Sequence, residues 1–287
     1  MEGRDRYLGE IPAWCPGCGN FSILNAFTAA LEAEGVEPGR FCIVSGIGQA
    51  GKFPHYVRCN TFNGLHGRAL PVATGIKLAN HGLLVVAVGG DGDMYGEGGN
   101  HLLHAMRRNV GVKVFVHDNQ IYGLTKGQAS PTSMEGMVTK NQPFGVLSEQ
   151  LNPMAMAVAM DCGFVARGYA GDREHLTSLI RSAFAHEGLS LVDILQPCVS
   201  LNKVNTWEWY GKRVYRIGED HDPRDRVRAF EKALEWGDRI PIGVIYRNDR
   251  PSFEKRVPVI SGGPLVDGSG RWQELKEKLP GSLRDFH

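Results

Sequence analysis

Asp91 and Asn119 are the side chains of this sequence whose placement most directly suggests chemistry. Asp91 follows the apolar run Leu84 to Val88 through Gly89 and Gly90, and Asn119 follows a second run, Val112 to Val116, through His117 and Asp118. Each run suits a buried parallel strand, and between them Glu97 to Arg108 reads as a helix with His101, Leu102, Ala105 and Met106 toward one face. That order puts Asp91 and Asn119 at the carboxyl ends of neighbouring strands, where open parallel sheets bind ligands. A carboxylate and an amide oxygen are hard donors of the kind Mg2+ accepts. With a backbone carbonyl and diphosphate oxygens they would complete an octahedral site, and Gly90 and Gly92 would let the backbone approach the phosphate. A pair of Asx-rich turns on an α/β protein is the competing reading.

The cysteines form a second candidate group. Cys15-Pro16-Gly17-Cys18 precedes a helix expected over Asn20 to Glu34, and its spacing suits a thiol redox pair, half of a metal or cluster site, or no chemistry at all. Cys198 follows the strand-like run Leu191 to Leu195. A third segment, Gly46 to Gly51 after the strand candidate Phe41 to Ser45, satisfies GxGxxG, but a dinucleotide site needs an acidic residue about 20 positions further on. No Asp or Glu lies between Glu37 and Asp91. That interval instead carries Lys52, His55, Arg58, His66 and Arg68, a composition that attracts anions, although each alone would pass as solvated surface.

Gly90-Asp91-Gly92 followed by Asn119 and Ile121-Tyr122-Gly123-Leu124-Thr125 resembles the thiamine-diphosphate motif. Together with Trp14-Cys15-Pro16-Gly17-Cys18-Gly19, Gly46-Ile47-Gly48, Gly64-Leu65-His66-Gly67-Arg68-Ala69 and the run Asp118 to Gln128, the sequence from about Ile11 to about Val204 resembles the beta subunit of 2-oxoacid:ferredoxin oxidoreductases. The likeness weakens beyond Asn205.

The resemblance implies an α/β fold of the thiamine-diphosphate-binding type: a mostly parallel sheet flanked by helices, with an extended C-terminal segment. It implies cofactor contacts from Gly48, His66, Gly90, Asp91, Gly92, Asp93, Asn119, Ile121, Tyr122, Gly123, Leu124 and Thr125, with Mg2+ on Asp91, Asn119 and Ile121. A [4Fe-4S] cluster would sit on Cys15, Cys18 and Cys198, Lys52 would meet the substrate carboxylate, and His66 would act beside the cofactor. The implied reaction is oxidative decarboxylation of a 2-oxoacid, 2-oxoglutarate before pyruvate, to an acyl-coenzyme A and CO2, with electrons passing to ferredoxin. It requires an alpha subunit, which supplies the carboxylate that supports the aminopyrimidine, in a dimer of alpha-beta heterodimers. The sequence departs from the pattern at Gln49, where many members carry a further cysteine ligand. Cys59, in the connection just beyond, is the expected replacement, ahead of a noncysteine ligand. Cys42 lies in an apolar strand, and Cys162 ends a methionine-rich helix with no motif pointing to the cluster.

Bulk properties agree with such an enzyme. The chain of 287 residues is 42% hydrophobic, and its 32 basic and 31 acidic side chains leave a formal charge of +1, which gives no sign of a nucleic-acid binder. No apolar run approaches the roughly 20 residues of a membrane span, and Met1 to Glu10 is too polar for a secretory signal. Six cysteines in a chain this long suit a reducing cytoplasm better than a disulfide scaffold. One domain over 1–287 is expected. Further helices are expected over Ala69 to Asn80, Met154 to Met160, Arg173 to His186, Asp225 to Leu234 and Trp272 to Lys278, and further strands over Gly163 to Arg167 and Ile242 to Tyr246. Gly123 to Asn141 reads as an active-site loop, Trp207, Trp209 and Tyr210 as interface or lid aromatics, and His101 and His104 as residues without a ligand role. Two other functions compete: a non-oxidative thiamine-dependent decarboxylase or synthase, which leaves the cysteines unexplained, and an iron-sulfur electron carrier, which leaves Asp91 and Asn119 idle.

Overall fold

The computed structural model describes residues 3–260 and 263–270; the helix expected over Trp272 to Lys278 lies outside them. Eight strands form one sheet: β1 (Phe41–Ser45), β2 (Asn60–Asn63), β3 (Leu84–Gly90), β4 (Val112–Asp118), β5 (Phe164–Tyr169), β6 (Ser190–Leu195), β7 (Val214–Arg216) and β8 (Ile240–Arg247), in the order β2-β1-β3-β4-β6-β5-β8-β7. All neighbours from β2 to β5 are parallel, β8 returns antiparallel on β5, and β7 runs parallel to β8.

The alternation of side chains along each strand divides the core into two layers. On one face Val86, Val88, Phe115, Val192 and Ile194 meet Ile23, Phe27 and Leu31 of α1 (Gly19–Ala33) and Leu176, Leu179 and Ile180 of α5 (Arg173–Ala185). On the other face Val85 and Ala87 of β3 and Val112, Val114 and Val116 of β4 pack with Leu70 and Ala73 of α2 (Ala69–Ala79) and Leu102 and Met106 of α3 (Gly99–Arg108). The same layer receives Met154 and Val158 of α4 (Pro153–Ala159). With apolar residues facing both layers, the central strands read as continuous apolar runs, as parallel sheets do.

Several details differ from the sequence expectation. Gly89 and Gly90 complete β3 instead of forming a turn, and Gly92–Glu97 is a π-helical segment ahead of α3. The segment after β1 continues into a 3-10 helix, Ala50–Tyr56, so its GxGxxG lacks the long helix that a dinucleotide site requires. Among the expected interface or lid aromatics, Tyr210 is fully buried with Tyr169, Leu195, Ile240 and Ile242, while Trp207 and Trp209 are half-buried against that group and Trp207 Nε1 donates to Gly17 O at 3.1 Å. Among the described residues no helix is long and apolar enough to cross a membrane.

Candidate active site

Because β2, β1, β3, β4 and β6 are parallel, the segments that leave them gather at one edge of the sheet. Gly64 to Arg68 follows β2, Gly46 to Ala50 follows β1, Asp91 to Asp93 follows β3, Asn119 to Thr125 follows β4, and Gln196 to Leu201 follows β6. Gly48, His66, Gly90, Asp91, Gly92, Asp93, Asn119, Ile121, Tyr122, Gly123, Leu124 and Thr125, the whole set expected to contact the cofactor, line a single cavity there with Ile47, Gln49 and Ala50. Lys52 is outside this lining. It is half-buried in the 3-10 helix that starts at the cavity wall with Ala50.

Asp91 is almost fully buried, and its Oδ2 accepts a hydrogen bond from Thr132 Oγ1 at 2.6 Å. Burial holds the Asp91 carboxyl above its ordinary range, opposed by hydrogen bonds from Ser130 and Thr132 and from the amides of Asp91 and Gly92. Thr132 Oγ1 also lies 2.8 Å from Asp118 Oδ1. A hydroxyl has one proton to give, so one of the two contacts needs a proton on a carboxyl group. Burial raises both carboxyl groups, with Asp193 and Asp91 adding to the rise at Asp118, so the pair shares that proton. Asp193 is pushed up to about 6 by burial, against the opposing pull of Tyr95, whose hydroxyl donates to it at 2.7 Å, and of the buried Arg167. Asp118, Asp193 and Arg167 also line a separate cavity of ≈ 140 Å³.

Asp93 has a different task. Its Oδ1 accepts from the backbone amides of Ile47 at 3.2 Å and Gly67 at 2.9 Å and lies 3.7 Å from His66 Nδ1. One carboxylate thereby ties the loops after β1 and β2 to the segment after β3 and anchors the exposed His66 imidazole. A Cβ at Gly46 would fall 1.8 Å from Asp93 Oδ2, so the close approach of these loops needs glycine there. Gly92 is required for a packing reason as well, since a Cβ at that position would lie 2.2 Å from the Tyr122 ring. Gly90 leaves its surroundings open, its nearest neighbour being His117 O at 3.9 Å. Asn119 Oδ1 accepts from Ile121 N at 3.0 Å, and Asn119 O accepts from Asn202 Nδ2 at 3.0 Å. The Asp91 carboxylate and the Asn119 amide oxygen therefore stand at one cavity with their backbones fixed, a donor set that fits a hard divalent cation.

Cys15, Cys18 and Cys198 line a second cavity with Trp14, Asn20 and Gln196. Burial pushes the Cys18 thiol up to about 11, and its neighbours Cys198 and Cys15 add to the shift. Three thiols at one cavity form a donor set that fits a metal or an iron-sulfur cluster. Cys59 is not part of this cavity, and this corrects the expectation that it replaces the missing cysteine. Its Sγ lies 3.8 Å from Val57 O, and burial, with Cys42 adding to it, pushes its thiol up to about 12. The 3-10 helix Ala50–Tyr56 and the bridge between Leu8 and Val57 carry the chain away before Cys59 is reached. Gln49 does line the cysteine cavity. Gln49, Asn119 and Gly123 belong to both cavities and form the wall between them.

A curated relative from Sulfolobus, a 2-oxoacid:ferredoxin oxidoreductase subunit beta, is 50% identical over 258 residues, covering 85% of this chain and 85% of its own. The chain belongs to the 2-oxoacid:ferredoxin oxidoreductase beta subunits. Within this oxidoreductase family, residues 46–194 match the model described as thiamine pyrophosphate enzyme, C-terminal TPP binding domain, and residues 198–262 match the model for the C-terminal part of the pyruvate ferredoxin oxidoreductase beta chain. A Mycobacterium tuberculosis relative, 2-oxoglutarate oxidoreductase subunit KorB, is 44% identical over 202 residues, 70% of this chain and 54% of that one. A solved structure, 2-oxoglutarate:ferredoxin oxidoreductase from Magnetococcus marinus with 2-oxoglutarate, coenzyme A and succinyl-CoA bound, superposes with a TM-score of 0.89 at 36% identity and covers 97% of each chain. As a beta subunit of a multi-subunit oxidoreductase, this chain has an alpha subunit as its partner, and the first cavity lies in its thiamine-diphosphate-binding region.

Sequence reasoning missed Ser130, Thr132 and Asp193. Thr132 lies 41 residues from Asp91 in an aperiodic loop, and Asp193 reads as a polar interruption of an apolar strand, so neither carries a local signal.

Proposed function

We propose that this chain, with its alpha subunit, oxidatively decarboxylates a 2-oxoacid, 2-oxoglutarate in preference to pyruvate, to an acyl-coenzyme A and CO2, passing electrons through a [4Fe-4S] cluster to ferredoxin. The observation that supports the reading is the wall of Gln49, Asn119 and Gly123 shared by two cavities, one offering hard oxygen donors and the other three thiols. A non-oxidative thiamine enzyme would need only the first cavity and an electron carrier only the second. Thiamine diphosphate supplies the electron sink for decarboxylation, and the cluster accepts single electrons. The protein's part is to hold Mg2+ with Asp91, Asn119 and the Ile121 carbonyl, to keep His66 oriented through Asp93, and to present Lys52 to the substrate carboxylate. The 2-oxoglutarate preference is supported by the names of the Mycobacterium and Magnetococcus relatives. Reading 1–287 as one domain is supported by β7 and β8, which lie in the C-terminal matched segment yet join the sheet built by the first. We place the complex in the cytoplasm, as a dimer of alpha-beta heterodimers.

The test is the purified alpha-beta complex, prepared anaerobically and supplied with coenzyme A and ferredoxin. Ferredoxin reduction should depend on a 2-oxoacid and be faster with 2-oxoglutarate than with pyruvate; no 2-oxoacid-dependent reduction by a complex with full cofactor content would end the proposal. In the same assay Lys52→Ala should raise the 2-oxoacid concentration for half-maximal rate roughly 10- to 100-fold, the loss of one charge-assisted hydrogen bond, while thiamine-diphosphate content stays unchanged. Thr132→Val removes the hydroxyl that holds Asp91 with almost no change of shape. It should weaken Mg2+ retention roughly 10- to 100-fold in a calorimetric titration, and Thr132→Ser should restore it. An unchanged Mg2+ affinity in the valine variant would show that the bridge is structural only.

A further inference from the structure

Three cysteines and Gln49 line the cysteine cavity. Cys15 and Cys18 come from the turn before α1, Cys198 from the segment after β6, and Gln49 from the segment after β1, on the side that faces the thiamine-diphosphate cavity. Gln49 Oε1 is shielded from solvent and has no hydrogen-bond partner among the described residues. A buried carbonyl left in that state is unfavourable, and a Lewis acid at the cavity would offset the cost. The Gln49 backbone is held in place: Trp14 Nε1 donates to Gln49 O at 2.9 Å, and Gln49 Cγ lies 4.0 Å from where a Cβ on Gly123 would be.

We infer that Gln49 Oε1 is the fourth protein ligand of the iron-sulfur cluster, which is thus held by three thiolates and one neutral oxygen. The inference rests on the cluster reading given above and extends it to the fourth iron. Gln196, whose Oε1 is also without a partner at this cavity, is committed through its Nε2 to Cys18 Sγ at 3.4 Å and Pro197 O at 2.8 Å, and it enters from the same segment as Cys198. It is a hydrogen-bond donor to Cys18, whereas Gln49 comes from the segment after β1, which supplies no cysteine to the cavity. Cys59 is turned to Cys42 and Val57 and takes no part.

Two properties follow. The oxygen-bound iron is distinct from the other three, since an amide oxygen is a harder and weaker donor than thiolate. Exchanging one anionic ligand for a neutral one also removes a negative charge from the site, so the cluster accepts an electron more readily than one with four thiolates, and its midpoint potential is higher.

The experiment uses the whole alpha-beta complex, enriched in 57Fe and prepared anaerobically as wild type, Gln49→Cys and Gln49→Ala, with Mössbauer spectra and an EPR-monitored redox titration. In the wild type about a quarter of the cluster iron should absorb as a separate site. In Gln49→Cys that site should merge with the rest and the midpoint potential should move negative. In Gln49→Ala mild oxidation should release about one iron per cluster and leave a three-iron signal, under conditions where the wild type keeps its iron. Four equivalent irons in the wild type, or a separate site that persists unchanged in Gln49→Ala, would overturn the assignment of Gln49 and leave the cluster reading standing. Absence of iron and sulfide from the wild-type complex would overturn the cluster reading itself, and Gln49 with it.

Discussion

Asp91→Ala is expected to abolish retention of thiamine diphosphate by an otherwise folded alpha-beta complex. Asp91 is the only carboxylate of the three proposed Mg2+ ligands, and the neighbouring carboxylate at this cavity, Asp93, is engaged with the amides of Ile47 and Gly67. Removing one partner of a buried charge pair costs roughly 3–5 kcal/mol, which corresponds to a loss of affinity of about a hundredfold to several thousandfold. The fold should survive because Asp91 is itself crowded in the absence of a cation: burial raises its pKa, and it lies in the field of Asp118 and Asp193. Thr132 keeps Asp118 as a partner after the change. Cofactor content after gel filtration, read beside the thermal midpoint of the cofactor-free complex, checks both parts. The midpoint should be unchanged or higher, and a variant that kept its cofactor would remove Asp91 from the metal site.

Cys198→Ala should act on the other side of the shared wall. With two thiols left at the cavity, the complex should lose most of its iron and sulfide, and 2-oxoacid-dependent ferredoxin reduction should fall roughly a thousandfold, because the proposed cluster is the relay that carries single electrons. Thiamine-diphosphate content should remain within about twofold of wild type, since Cys198 does not line that cavity. Normal iron and sulfide in the variant would refute the ligand role. The two variants thus separate the cavities: each should empty one and spare the other.

Asp91, Asn119 and the glycines beside Asp91 were legible in the sequence because their setting is written locally, whereas the rest of the cavity lining came from the family resemblance. A buried strand announces itself as an apolar run, and whatever follows it must emerge at the ligand-binding edge of a parallel sheet. What the sequence hides is the support that arrives from elsewhere. Thr132 and Ser130 reach Asp91 from the middle of a long loop, and Arg167 and Asp193 are charged groups inside strands whose burial is total, against the usual expectation for such residues. Cys59 misled because nearness along the chain was taken for nearness in space, and the 3-10 helix Ala50–Tyr56 breaks that equivalence. The edge strands β2 and β7 escaped notice for the opposite reason: Asn60–Asn63 is exposed throughout and Val214–Arg216 is short and half-exposed, so neither carries an apolar pattern.

The π-helical segment Gly92–Glu97 has a consequence for chain length. Its hydrogen bond from Gly98 N to Asp93 O spans five residues where an α-helix spans four, so the segment holds one residue more than a regular helix would between β3 and α3. The wider π turn absorbs that residue while advancing through nearly the same angle, so deleting it would regularise the helix and leave the direction of α3 almost unchanged. Asp91 is fixed by the strand and α3 by its packing, so the loss would fall on the turn between them, where Asp93 holds the loops at Ile47 and Gly67. The extra residue between Gly90 and Gly99 therefore bears on where the Asp93 carboxylate stands, while the helix that follows keeps its course.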